Sequence, residues 1–284
     1  MKKTDLPLQC DFSGKVAVVT GAGGVICSML AEALSAAGAK VALLDLNEEK
    51  ADAYAQEIVK DGGIAKGYGA NVLDKASLKA AHERITKDLG PCDILINGAG
   101  GNSPKATSSQ EYYEEKKSEA DTTFFDLKQE GVEFVFNLNF IGTLLPTQEF
   151  ATDMVEKKAG SILNISSMNA FAPLTKIPAY SAAKAGISNF TEWLAVHFSH
   201  TGIRVNAIAP GFLSTAQNAA LLWNKDGTPT ARTGKILAAT PFGRFGEAKE
   251  LIGPTFFLLD DKASSFVTGI VMPIDGGFNA YHGV

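Results

Sequence analysis

Tyr180 and Lys184 stand four apart in "IPAYSAAKAG", and Ser167 lies thirteen residues before the tyrosine in "NISSM". On a helix, residues four apart share a face, one turn from each other. A phenol with a pKa near ~10 is a poor general acid or base at neutral pH. An ammonium about 4 Å away, in a medium of effective dielectric ~20, is worth about 4 kcal/mol, on the order of three pKa units. The spacing therefore predicts a tyrosine brought into the range where it can exchange a proton, with the Ser167 hydroxyl placed to bond a substrate oxygen. A Tyr-x-x-x-Lys pair alone is common by chance, so its meaning depends on what surrounds it.

The second chemical feature is "VAVVTGAGGVICSMLAEALSAAGAKVALLDLN", Val16 to Asn47, which reads as a strand, a glycine turn, a helix and a second strand. A dinucleotide loop needs a turn tight enough to aim a helix N-terminus at a pyrophosphate, with bare backbone close to it. Gly21 supplies the turn, and Gly23 and Gly24 the bare backbone. Their spacing is not G-x-G-x-x-G; where a third glycine would allow close helix–strand packing stands Cys27, small and of a type often buried. Asp45 ends the second strand about where an acid reaches a ribose 2′-hydroxyl. It would repel a 2′-phosphate, and no Lys or Arg lies in the loop or directly after it, which favours NAD over NADP. Capping the helix that begins near Asn47 is the alternative role for Asp45. Val25 and Ile26, which open the helix, and Leu46 complete the expected contacts of this half.

These residues must be held by a scaffold, and its pattern is regular. Apolar runs "KVAVVT", "KVALLDL", "AKGYGANV", "DILINGAG", "GSILNISS", "IRVNAIAP" and "GIVMPIDGG" read as seven strands, alternating with at least six helices. One helix is expected over 132–160 and one over 179–202. Such alternation gives βαβ units and a parallel sheet with helices on both faces. A single doubly wound Rossmann domain over 1–284 is expected, without linker or repeat. Two segments break the pattern, about 101–129 and 212–245, each following a strand end. Ligands of open α/β sheets bind outside the carboxyl ends of the strands, so both are candidate pocket walls.

Composition narrows the function. A net charge of −5 with no Lys/Arg cluster argues against nucleic acid or an anionic membrane as partner. No apolar run approaches the ~20 residues of a membrane span, and "MKKTDLPLQCDFSGK" lacks the apolar core of a secretory signal. Cys10, Cys27 and Cys92 show no C-x-x-C pairing and read as free thiols of a reducing cytoplasm. His82, His197, His200 and His282 form no ligand cluster, so no metal site is expected.

Taken together, "TGAGGVIC", Asp45, "NGAG", "NLNFIG", "NISS", "YSAAK", "RVNAIAPG" and "VTGIVMPIDGG" make the chain resemble the short-chain dehydrogenase/reductase family from Gly14 to about Phe278. The resemblance implies that Tyr180 is the acid/base, that Lys184 tunes it and binds the nicotinamide ribose, and that Ser167 orients the reacting oxygen. Asn139 matches the helix asparagine that holds a water of the proton relay. Asn97, Gly98 and Ala99 match the motif beside the adenosine half of the cofactor, and Asn71 and Val72 the adenine-contacting pair. Pro210, Gly211, Phe212 and Thr215 match the nicotinamide-side segment. Val25 and Cys27 depart from the family's T-G-x-x-x-G-x-G, with Gly24 the substitute for a missing glycine.

Within the family, "NGAGGNSPKAT" and "NISSMNAFAPLTKIPAYSAAK" resemble bacterial enzymes assigned as D-mannonate oxidoreductases, or fructuronate reductases. That implies reversible hydride transfer between D-mannonate with NAD and D-fructuronate with NADH. A dehydrogenase of another sugar acid or polyol such as gluconate, or a non-catalytic dinucleotide-binding protein, are the alternatives. A sugar-acid carboxylate must find donors when it leaves water; Asn102, Lys105, Asn169 and Arg232 are the candidates, beside Ser167 and Tyr180. Apolar faces around Phe134–Phe150 and Ile187–Phe198 match helices that the family buries between subunits, which implies a homotetramer.

Overall fold

Seven apolar runs pair as strands in the computed structural model, which describes residues 10–215 and 222–283. The N-terminal residues 1–9 and residues 216–221 of the second long segment, on which sequence readings fell, lie outside the described residues. The strands are β1 Val16–Thr20, β2 Lys40–Asp45, β3 Ile64–Gly69, β4 Ile94–Asn97, β5 Gly160–Ile165, β6 Ile203–Pro210 and β7 Val271–Ile274. All pair in parallel, in the order β3-β2-β1-β4-β5-β6-β7. The order reverses between β1 and β4, which opens a crevice at their C-terminal ends.

Helices cover both faces. On one side Ala17 and Val19 of β1 pack with α1 (Val25–Ala36), α2 (Glu48–Lys60) and a later helix, Ile252–Leu259, numbered α8. On the other, Val16 and Val18 meet α3 (Lys75–Asp88), α5 (Gly142–Lys157) and α6 (Pro178–His197). The alternation of adjacent residues between two cores is the period-2 geometry of a strand buried on both faces. This is the expected doubly wound α/β fold. Among the described residues no helix is long and apolar enough to cross a membrane.

The differences from the sequence reading lie at element ends. The expected strands at 65–72, 93–100, 160–167 and 269–277 run past the last sheet pairing, because their final residues leave the sheet as loops around the crevice. The helix expected at 132–160 is α4 (Gln129–Phe136), a π turn over Asn137–Ile141, and α5. A π turn carries an extra residue per turn and commonly marks a functional position; here it holds Asn139. The second long segment contributes α7, Ala231–Ala238.

Candidate active site

A cavity of 830 Å³ opens at the C-terminal ends of the strands, lined by the glycine turn, Asp45, Leu46, Asn71, Val72, Gly98, Ala99, Ser167, Tyr180 and Pro210–Leu213. Gly21 turns there with φ +67°, and a Cβ on it would stand 2.8 Å from the Ala99 backbone, so only glycine fits. Gly24 precedes α1 with no side-chain cap, and no acidic residue sits in the first turn. The first helical bond is donated by Ser28 to Gly24. The N–H groups of Val25, Ile26 and Cys27 therefore face the cavity mouth at the positive end of a twelve-residue helix. That arrangement fits a pyrophosphate.

The missing third glycine has a structural answer. Cys27 is buried, and a Cβ on Gly98 would collide with its sulfur. Close packing of α1 on β4 is thus kept by moving the bare backbone from one side of the contact to the other. Burial pushes the Cys27 thiol up to about 12, so it stays protonated. Cys10 and Cys92 are likewise buried and free.

Asp45 serves the loop itself. Its carboxylate accepts the Gly23 N–H at 2.9 Å and the Asn47 N–H at 3.0 Å, while Asn47 caps α2. Lys50, in the first turn of α2, lines the same cavity. The expectation that no cation stands near the acid is therefore corrected: one helical turn brings back a lysine that lies five positions away in sequence.

At the other end of the cavity, Ser167 and Tyr180 line the same wall, the serine hydroxyl near enough to the phenol to favour its ionised form. Lys184 is buried and donates to the Ile165 carbonyl at 2.7 Å, its Nζ 5.6 Å from the Tyr180 ring centroid. The expected lowering of the tyrosine by this lysine is corrected. Burial pushes the Tyr180 phenol up, with the Ser167 hydrogen bond opposing, and burial pushes Lys184 down to about 8. The ammonium lies against the ring and spends its charge on a carbonyl, so helical spacing overstated its grip on the hydroxyl.

Asn139 is buried in the π turn; its amide donates to the carbonyls of Gly101 at 2.7 Å and Val135 at 2.8 Å, and its oxygen accepts the Gly101 N–H at 3.3 Å. Both amide protons are committed to backbone, so the side chain braces the loop after β4. Asn97 points into the core, donating to Thr147 and Asn164 at 2.9 Å each, and does not line the cavity, unlike its neighbours Gly98 and Ala99. Thr215 does line it, as do Cys27, Lys50, Phe134, Leu138 and Ser166, which the sequence reading missed. Strand-end position was the available signal for Ser166 only.

The substrate candidates divide. Asn102 is exposed and donates to Thr107 at 2.9 Å; Lys105 is exposed and reaches Glu130 at 3.4 Å. Asn169 is buried in a single turn that Ser167 caps, its N–H folded back onto the serine oxygen at 3.2 Å. None of the three lines the main cavity or its neighbour. Arg232 does line the neighbour, a cavity of 480 Å³ that shares Phe212 with the first. Among the described residues no group of His, Cys, Asp or Glu could hold a metal.

A parallel sheet with a glycine turn at its switch point, and a tyrosine, serine and lysine at the same edge, defines a dinucleotide-dependent oxidoreductase. The chain belongs to the short chain dehydrogenase family, whose model matches residues 15–225. It is 58% identical, over 96% of both chains, to an uncharacterized oxidoreductase of Haemophilus influenzae. Among solved structures it is similar to a candidate D-mannonate oxidoreductase from the same species with bound NAD, with TM-score 0.94 and 58% identity over 97% of this chain and 98% of that one. A gluconate 5-dehydrogenase from Burkholderia cenocepacia in complex with NADP and tartrate superposes with TM-score 0.83 at 27% identity, over 96% and 98% of the two chains. The protein is therefore an NAD(P)-dependent oxidoreductase acting on an alcohol group.

Proposed function

We propose that the protein interconverts a sugar acid and its keto form, D-mannonate and D-fructuronate in the first instance, with NAD(H), within a single catalytic domain. The observation that carries the reading is the Ser167–Tyr180–Lys184 cluster at one end of the glycine-lined cavity. The name of the Haemophilus structure supports the substrate, and its bound NAD supports the cofactor. Gluconate is the second reading, favoured by the similarity to the gluconate 5-dehydrogenase.

The residues fit the cofactor: the uncapped start of α1 holds the pyrophosphate, Asp45 and Leu46 a ribose, Asn71 and Val72 the adenine side, and Pro210–Phe212 with Thr215 the nicotinamide side. When bound, the nicotinamide supplies the acceptor for the hydride that leaves carbon. In reduction the Tyr180 phenol gives its Oη proton to the carbonyl oxygen and is left as phenolate; in oxidation the phenolate takes that proton back from the carbinol. Ser167 hydrogen-bonds that oxygen and the phenol, fixing both. Lys184, anchored on Ile165 and lying against the Tyr180 ring, would hold the nicotinamide ribose beside the phenol. Asn139 keeps the Gly101 loop in place behind them.

Replacing Tyr180 by Phe should abolish turnover while cofactor binding stays nearly intact, because only the proton carrier is lost. A Tyr180→Phe enzyme that keeps more than about a tenth of the rate, a change of ~1.4 kcal/mol in barrier, removes the assignment. A panel of hexonates, hexuronates and polyols read by NADH absorbance tests the substrate.

A further inference from the structure

The two long segments meet over the second cavity. Glu111 of the first binds Lys235 of the second through both carboxylate oxygens at 2.8 Å, although 124 positions separate them. The first segment is also tied to the start of α6, where Ser108 N–H donates to the Lys176 carbonyl at 2.8 Å. The cavity beneath has an apolar floor that includes Phe212 and Phe278, edge to face at 5.3 Å. Its charged lining is Glu111, Lys176, Arg232 and Lys235.

These charges do not cancel. Glu111 is taken by Lys235, and these contacts, with Lys176 further off, hold its carboxyl below the usual range. Among the described residues neither Lys176 nor Arg232 has a carboxylate at salt-bridge distance. Arg232 sits in the first turn of α7, which carries no acidic residue. A cation at a helix N-terminus is disfavoured by the helix dipole unless an anion joins it. A protein of net charge −5 thus concentrates positive charge in one recess beside its reactive tyrosine.

The recess is displaced from the proton-transfer groups. Ile177 and Lys176 line it, whereas Tyr180, one helical turn later, lines the first cavity, and Phe212 belongs to both. An anion held by Lys176 and Arg232 would therefore lie in the second cavity, which shares Phe212 with the cavity that Ser167 and Tyr180 line. We infer that Lys176 and Arg232 form a carboxylate subsite in this recess, so that the substrate is a polyhydroxy acid whose carboxylate lies several carbons from the carbinol that reacts. Four carbon–carbon bonds of ~1.5 Å reach about 5 Å when extended, enough to place the two ends of such an acid in adjoining cavities. A 2-hydroxy acid, with its carboxylate on the reacting carbon, would have to keep both groups within one cavity. Arg232 offers the planar fork that matches a carboxylate, and Lys176 a point charge.

The inference rests on the proposed proton-transfer site, and the test separates the two. Enzyme loaded with NADH, which cannot turn over an alcohol, is titrated calorimetrically with mannonate and with gluconate. Mannitol is the neutral control and glycerate the short one. Lys176→Ala and Arg232→Ala should each weaken hexonate binding by about fivefold or more and the double variant by over about twentyfold, with mannitol, NADH affinity and melting temperature unchanged. Lys176→Glu should weaken it further. Glycerate should bind weakly to every form. The subsite is overturned if wild type binds no hexonate, if the variants bind hexonate as wild type does, or if acid and hexitol weaken together. Tyr180→Phe should keep hexonate binding; if it also keeps turnover, the proton-transfer reading falls while the subsite stands.

Discussion

Asp45 has two obligations that a single substitution can separate. Its oxygens hold the Gly23 and Asn47 N–H groups, and its charge opposes a 2′-phosphate. Asp45→Asn keeps an acceptor and removes the charge, with Lys50 already in the cavity to favour a phosphate. The wild type should prefer NAD, and the variant should shift the kcat/KM ratio toward NADP by about tenfold, ~1.4 kcal/mol. A wild type equally efficient with both, or a variant with an unmoved ratio, would show that Asp45 is structural only. At this scale the sequence is legible where chemistry and spacing coincide, as for Tyr180, Lys184 and Ser167 around one cavity end. It is not legible where orientation decides: Asn97 stands beside the lining residue Gly98 yet turns into the core, Asn169 is buried without lining either cavity, and Lys50 reaches the cavity only because α2 folds it back.

Between elements, α3 and α5 are joined by one imidazole. His82 of α3 points Nδ1 at Glu149 and Nε2 at Asp153 of α5, both at 2.9 Å, and its ring leans on Phe150. Burial opposes the charged ring, yet the hydrogen bonds to both carboxylates outweigh it and hold the pKa above the usual histidine value. The folded state therefore binds the proton more tightly than the unfolded chain, which titrates near ~6.5. This stabilisation is complete below that pH and is lost as pH rises through the folded-state value. His82→Gln should cost about 2 kcal/mol near pH 6 and progressively less in alkaline buffer. A wild-type to variant gap in melting temperature that is constant with pH would remove the charged-histidine account. The strands and helices themselves could be read from apolar periodicity. Their C-terminal ends could not, since tracts such as "DILINGAG" stay apolar after the last sheet pairing. The Glu111–Lys235 contact had no local signal at all.

The whole molecule carries an apolar groove between α5 and α6, with Leu144, Val155, Phe190, Trp193 and Phe198 along it, and Trp193 half exposed. Exposed patches of this kind mark association surfaces, and the expected tetramer would cover it. Light scattering at micromolar concentration should give a multiple of the 30.0 kDa chain mass, and Trp193→Glu should lower it. A single-chain mass for the wild type would end this reading. The edge position of β7 has a consequence for how the molecule is made. Phe278, which closes the floor of the second cavity against Phe212, follows β7, while among the described residues the lining of the first cavity ends at Thr215. At ~5–20 residues per second, a ribosome needs roughly 3–12 s to add the intervening segment. The described residues of the dinucleotide crevice are thus synthesised before the residue that floors the second recess. The glycine turn therefore waits for β7 and Phe278 before the two cavities can work together.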